Sequence, residues 1–108
     1  MIPPSFDYYA PATAEEAIGL LQQLGPEAKI LSGGMSLIPL MRLRLAAPRQ
    51  VIDINRIAGL AEIGETDGFL MIGALTREAE LEASELVRAK YPILTATAAV
   101  IGDPLVRY

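Results

Sequence analysis

Cysteine and histidine are both missing from the 108 residues of this chain. Their absence excludes disulfides, thiolate nucleophiles, iron–sulfur ligation by the chain itself, most zinc sites and the usual general base. Any part in redox chemistry therefore has to use a borrowed reactive group. Long apolar runs are lacking too, and none approaches the roughly 18 residues that a bilayer-spanning helix needs. Met1-Ile2-Pro3-Pro4 carries no basic segment followed by an apolar stretch, so no signal peptide is expected. A soluble, cytoplasmic protein without a membrane span is the expectation. Positive charge is sparse: nine Lys and Arg face thirteen Asp and Glu, for a net charge of -4. Those nine are scattered among acidic residues, whereas nucleic acid is held by clustered Lys and Arg. They read as a solvated surface.

What is present is apolar material: 52% of the residues, enough for the core of one small domain. Phe6, Tyr8 and Tyr9 lie in a short extended stretch closed by Ala10-Pro11. Thr13-Ala14-Glu15-Glu16 has the form of a capping box, and Ala17, Leu20, Leu21 and Leu24 follow at helical spacing. Gly25-Pro26 ends that helix, predicted over 13–24. A buried strand is predicted over 29–31 and another over 50–54. The helix between them begins at Leu37, tolerates Pro39 in its first turn, and stops at Ala47-Pro48. Strand, helix and strand in that order predict a parallel pair joined by a crossover.

Thr66-Asp67-Gly68 between two apolar runs predicts a hairpin. Thr76 is expected to cap a helix through Ala83, and Ser84 another through Lys90. Ile93 to Ile101 reads as a buried helix that Gly102-Asp103-Pro104 stops. The fold class is α/β, a small parallel sheet with crossover helices plus a hairpin, expected as a single domain over 1–108.

Function shows above this background at one place, Ile30-Leu31-Ser32-Gly33-Gly34-Met35-Ser36-Leu37. A strand runs into paired glycines and then a helix for which Ser36 is the expected cap. Two glycines let the backbone take φ > 0 and turn amide N–H groups toward one point. The helix start adds its own unpaired donors and positive dipole end, which together suit a phosphate or pyrophosphate. Gly-Gly after a strand is also an ordinary tight turn. Three details favour the anion: the strand aims the turn at the sheet's carboxyl edge, Ser36 can donate to a phosphate oxygen, and no bulky or acidic side chain blocks approach. Gly-x-Gly-x-x-Gly is absent and no Lys-Ser or Lys-Thr follows, so the usual NAD and ATP loops are excluded.

Other features read more simply. Asp53-Ile54-Asn55 forms a turn, Arg42 and Arg44 face outward, and Met35, Met41 and Met71 pack in the core. No acid–base or nucleophilic constellation is visible.

Residues 32–45, Ser-Gly-Gly-Met-Ser-Leu-Ile-Pro-Leu-Met-Arg-Leu-Arg-Leu, closely resemble the first FAD-binding motif of the molybdenum hydroxylase flavoprotein subunits. These are the medium subunits of carbon monoxide dehydrogenase and of related aldehyde and xanthine dehydrogenases. Phe6-Asp7-Tyr8, Val51-Ile52-Asp53-Ile54-Asn55-Arg56, Ile72-Gly73-Ala74-Leu75-Thr76 and Ile101-Gly102-Asp103-Pro104-Leu105-Val106-Arg107 fall in the family's order and spacing. The resemblance implies the N-terminal FAD-binding subdomain of the PCMH-type flavoproteins. It implies FAD as cofactor, main-chain contacts from Ile30, Leu31, Ser32, Gly33, Gly34, Met35, Ser36 and Leu37 to the FAD pyrophosphate, and Ile101 as a wall beside the flavin.

It also implies two partners, a molybdopterin-containing large subunit and a small subunit with [2Fe–2S] clusters whose electrons the flavin passes to an acceptor. In the family, the segment like 101–107 leads into a second glycine-rich motif and a C-terminal domain, whereas this sequence ends at Tyr108. The expectation is an N-terminal portion that, when isolated, holds FAD weakly or not at all. Two alternatives remain open: a cofactor-free interaction module that docks on partner subunits or self-associates, and a small general phosphate or nucleotide binder.

Overall fold

A computed structural model describes residues 2–108. They divide into two compact units, the first ending at Ala58 and the second running from Gly59 to Tyr108.

The first unit holds a three-stranded sheet of β1 (Asp7–Tyr9), β2 (Ala28–Leu31) and β3 (Gln50–Asp53), with β3 in the centre. Both pairings are parallel, and the register sets Tyr8 opposite Val51 and Leu31 opposite Asp53. The expected parallel pair is present, and the extended stretch at Tyr8 adds a third strand to it. Val51 and Ile52 on the central strand are almost wholly buried, with Ala17, Ala28, Met41, Ile54 and Ile57 completing the core.

Helix α1 (Ala14–Leu24) connects β1 to β2 and packs on β2 and β3. It starts as predicted, with Thr13 Oγ1 accepting the Glu16 N–H at 3.2 Å. The Glu16 carboxylate reaches one residue further back than a capping box requires and accepts the Ala12 N–H at 3.1 Å. Helix α2 (Leu37–Arg42) is shorter than its apolar periodicity suggests. Arg44 takes a left-handed conformation, φ 59, and Leu45 N–H returns to the Leu40 carbonyl at 2.8 Å. That pattern closes a helix C-terminus, usually with glycine at the left-handed position. Here an arginine occupies it, so the stop carried no glycine signal. Arg42 and Arg44 are exposed, as expected.

In the second unit, β4 (Ile63–Thr66) and β5 (Phe69–Ile72) form the predicted antiparallel hairpin. Asp67 and Gly68 between them have φ 52 and 80, a two-residue turn whose twist matches the strands. Four short helices follow: α3 (Glu78–Ala83), α4 (Glu85–Lys90), α5 (Pro92–Val100) and α6 (Pro104–Arg107).

Ser84 caps α4 as predicted, its Oγ accepting the Val87 N–H at 3.3 Å. Thr76 does not cap α3. Arg77 is the N-cap, its N–H donating to the Glu80 carboxylate at 3.2 Å, while the buried Thr76 hydroxyl has no partner among the described residues. Nor is α5 a buried helix. Thr95 and Ala98 face inward, but Ile93 and Val100 are 75% and 80% exposed. Asp103 does more than stop α5: its carboxylate accepts the Leu105 N–H at 2.9 Å and starts α6. Of the methionines expected in the core only Met41 is there; Met35 and Met71 are about half exposed.

Candidate functional site

Parallel pairing puts the carboxyl ends of β2 and β3 on one edge of the sheet, where open α/β sheets bind ligands. The chain leaves β2 at Leu31 and enters the glycine turn there. The Ile54 N–H donates to the Leu31 carbonyl at 3.0 Å, and Asn55 Nδ2 donates to the Ser32 carbonyl at 2.8 Å. Two consecutive carbonyls are thus tied to the segment after β3.

The two glycines differ. Gly34 is buried, has φ 80, and an added Cβ would lie 2.6 Å from Ile38 Cδ1 and 3.3 Å from Leu31 Cδ1. The left-handed conformation favours glycine there, and a Cβ would also push the Ile38 side chain aside. Gly33 is exposed and lacks a positive φ, so the expected pair of φ > 0 residues reduces to one. A Cβ on Gly33 would meet nothing within 4 Å. Folding therefore places no steric demand on Gly33.

Helical hydrogen bonding begins at the turn itself, with the Ile38 N–H donating to the Gly34 carbonyl at 3.1 Å. Among the described residues, none accepts the amide N–H of Gly33, Gly34, Met35, Ser36 or Leu37. Ser36 stands at the N-cap position, but its side chain makes no capping bond, and its backbone is helical rather than extended. The expectation that Ser36 caps α2 fails on that geometry, because an N-cap hydroxyl reaches the next turn from extended backbone. Its hydroxyl is consequently not committed to the helix. The sequence-predicted residues 30–37 form one continuous strand-to-helix turn, whereas Ile101 belongs to the second unit, half-buried at the C-cap of α5.

Beside the turn lies a network to which the sequence assigned no role. Asp53 Oδ1 accepts the Asn55 N–H at 2.9 Å and Asn55 Nδ2 at 2.6 Å, which is the turn expected at Asp53-Ile54-Asn55. Asp53 Oδ2 accepts the Tyr8 hydroxyl at 2.5 Å. Partial burial pushes the Asp53 carboxyl up, but the hydrogen bonds from Tyr8 and Asn55, aided by nearby Arg56, outweigh it and hold the group below the usual carboxylate range. The same bond to Asp53, with some burial and the carboxylate's charge, raises the Tyr8 phenol above its ordinary value. An Asp-x-Asn spacing just past a strand was the one available signal.

Two hollows in the first unit are not lined by the glycine segment itself. One of about 490 Å³ runs along α1 between Tyr9, Glu16 and Gln23. The other, about 240 Å³ and wholly apolar, is walled by Phe6, Tyr8, Leu31, Ile38, Met41 and Val51. Residues 32–37 line neither. Among the described residues, no cluster of three acidic side chains could hold a metal ion, and no helix is long and apolar enough to cross a membrane.

The family described as the FAD binding domain in molybdopterin dehydrogenase matches residues 4–108. The chain belongs to this family. The carbon monoxide dehydrogenase medium chain of Hydrogenophaga pseudoflava is 50% identical over 107 residues, which make up 99% of this chain and 37% of that one. The alpha subunit of the 6-hydroxypseudooxynicotine dehydrogenase complex of Paenarthrobacter nicotinovorans is 46% identical, over 99% of this chain and 36% of its own length. Among solved structures, that of the Cu,Mo-CO dehydrogenase superposes with a TM-score of 0.93 at 44% identity, covering 100% of this chain and 38% of that one. Quinoline 2-oxidoreductase from Pseudomonas putida 86 gives a TM-score of 0.88 at 34% identity, over 99% of this chain and 37% of that one. The chain spans little more than a third of the length of these relatives. The resemblance read from residues 32–45, the fold class, and FAD as the family's cofactor are all borne out.

Proposed function

We propose that this chain is the FAD-binding portion of the medium subunit of a molybdenum hydroxylase. Residues 30–37 hold the FAD diphosphate by main-chain donors, and Ile101 forms a wall beside the flavin. The carrying observation is the run of five amides, Gly33 to Leu37, that no described residue accepts. Those donors, the uncommitted Ser36 hydroxyl and the open space beside Gly33 fit an approaching anion. FAD supplies the electron chemistry when bound. The chain, which has no histidine or cysteine, binds and orients it.

In this reading electrons reach the flavin from [2Fe–2S] clusters of a small partner subunit, after a molybdopterin-containing large subunit has oxidised the substrate, and leave to an acceptor. A cytoplasmic location goes with it. The relatives named as dehydrogenase chains support an oxidoreductase component.

Gly33→Ala tests the site, because its Cβ has room in the folded chain yet would occupy space that the diphosphate needs. In the full-length protein, FAD titration should show affinity falling about tenfold or more, the equivalent of one charged hydrogen bond. Thermal stability should hold within about 0.5 kcal/mol, as for surface substitutions. Unchanged FAD affinity would remove the diphosphate from this turn.

A further inference from the structure

The peptide joining Ser32 to Gly33 is a rigid trans unit, so its C=O and N–H point in opposite directions. Whatever grips the Ser32 carbonyl therefore aims the Gly33 N–H. Asn55 Nδ2 grips that carbonyl at 2.8 Å. We infer that Asn55, held in place by Asp53 and Tyr8, is a positioning residue for the FAD diphosphate. It fixes the Ser32–Gly33 peptide so that the Gly33 N–H faces away from β3 and toward the ligand. This inference rests on the reading of residues 30–37 given above.

Three observations support it. Asn55 donates from one amide nitrogen to two acceptors, Ser32 O and Asp53 Oδ1, which determines the side chain's orientation, since an amide oxygen could serve neither. Asp53 also accepts the Asn55 main-chain N–H, so backbone and side chain of Asn55 are fixed by one carboxylate. The Tyr8 hydroxyl, from β1 on the far side of β3, holds the other oxygen of that carboxylate. The chain Tyr8–Asp53–Asn55–Ser32 thus runs along the carboxyl edge of the sheet through all three strands. Every link in it is made by a polar atom, the Tyr8 hydroxyl included, and Asn55 is exposed. A purely packing role would not place it there.

The ligand side of the turn carries the main-chain donors and the Ser36 hydroxyl, which suit the diphosphate and not the ring system, so loss of Asn55 should act on the diphosphate and spare the rings. In the full-length protein, Asn55→Ala should weaken FAD and ADP together by about three- to tenfold, the worth of one neutral hydrogen bond. Riboflavin, which has no phosphate, should bind as before, and the 31P resonances of bound FAD should shift. Tyr8→Phe should move FAD and ADP in the same direction by less.

A merely structural Asn55 would lower all three ligands in step with the melting temperature and leave the 31P resonances in place, which would overturn the inference. Unchanged FAD and ADP affinity would overturn it as well. If Gly33→Ala weakens FAD while Asn55→Ala does not, the site stands and only the positioning role falls. If neither does, the site itself is wrong.

Discussion

Just past β2 the Ser32 carbonyl is held by the neutral amide of Asn55, whereas at the C-terminal end of α5 the Ala98 and Ile101 carbonyls are held by the guanidinium of Arg107, at 3.0 and 2.9 Å. Asn55 is exposed and leans on an aspartate. Arg107 is half-sheltered and pairs with Glu82 on α3, with the Tyr108 ring 5.8 Å from its charge. The bond to Glu82 also raises the Arg107 pKa beyond its already high ordinary value. Both segments carry residues proposed to meet the FAD, and in both a remote side chain holds main-chain carbonyls. They differ in what the fold asks of them. Arg107 ties together α3, α5 and α6 of its unit, so its effect belongs to the stability of that unit. Asn55 restrains a turn that the strands already bring close, so its effect belongs to ligand geometry.

The largest expected effect comes from Gly34→Val. A β-branched residue at φ 80, with its Cβ 2.6 Å from Ile38, should cost about 2 kcal/mol of stability. By displacing the donors that follow, it should weaken FAD by more than about a hundredfold. Circular dichroism should still show α1, whose cap at Thr13 is remote from the turn; FAD affinity near that of the parent would show that the left-handed glycine is dispensable.

Next comes Arg107→Ala, which leaves two carbonyls and Glu82 without their cation. Protection of α5 and α6 amides against hydrogen exchange should drop sharply, while amides of β2 and β3 stay protected. Equal losses in both units would erase the contrast between a folding staple and a ligand-side restraint.

The smallest effect is in the pH profile. The folded Asp53 carboxyl lies below its unfolded value of about 3.9. Its contribution is therefore present above that value and lost as pH falls through the folded one. The Tyr8 phenol lies above its unfolded value of about 10, so its contribution is complete below that pH and fades as pH rises through the folded value. Between these limits the network should be insensitive to pH. The stability difference between the parent and Asp53→Asn, followed by urea unfolding, should be flat from about pH 5 to 9 and shrink toward pH 3. A difference that persists at the acid end would show that the carboxylate's charge is not what the network uses.

Much of this was legible in the chain because local chemistry and global fold agree. Thr13, Asp67-Gly68 and Ser84 each carry a turn or cap signal that the structure uses as written. The strand-to-helix turn at 30–37 was equally plain. What escaped was set by neighbours distant in sequence or by residues acting out of type. Arg44 ends α2 in a glycine's conformation, so apolar spacing through Leu45 overextended the helix. Ile93, Val100, Met35 and Met71 are apolar yet exposed, and periodicity alone does not say which apolar face is covered. Asn55 looked like half of a turn because its second partner, Ser32, lies 23 residues away.

A crystal structure of the full-length protein with FAD bound is the most direct measurement. Diphosphate oxygens should lie within about 2.7–3.2 Å of main-chain nitrogens among Gly33 to Leu37, with the Ser32 carbonyl still on Asn55. A diphosphate bound elsewhere, with those amides facing solvent, would contradict it.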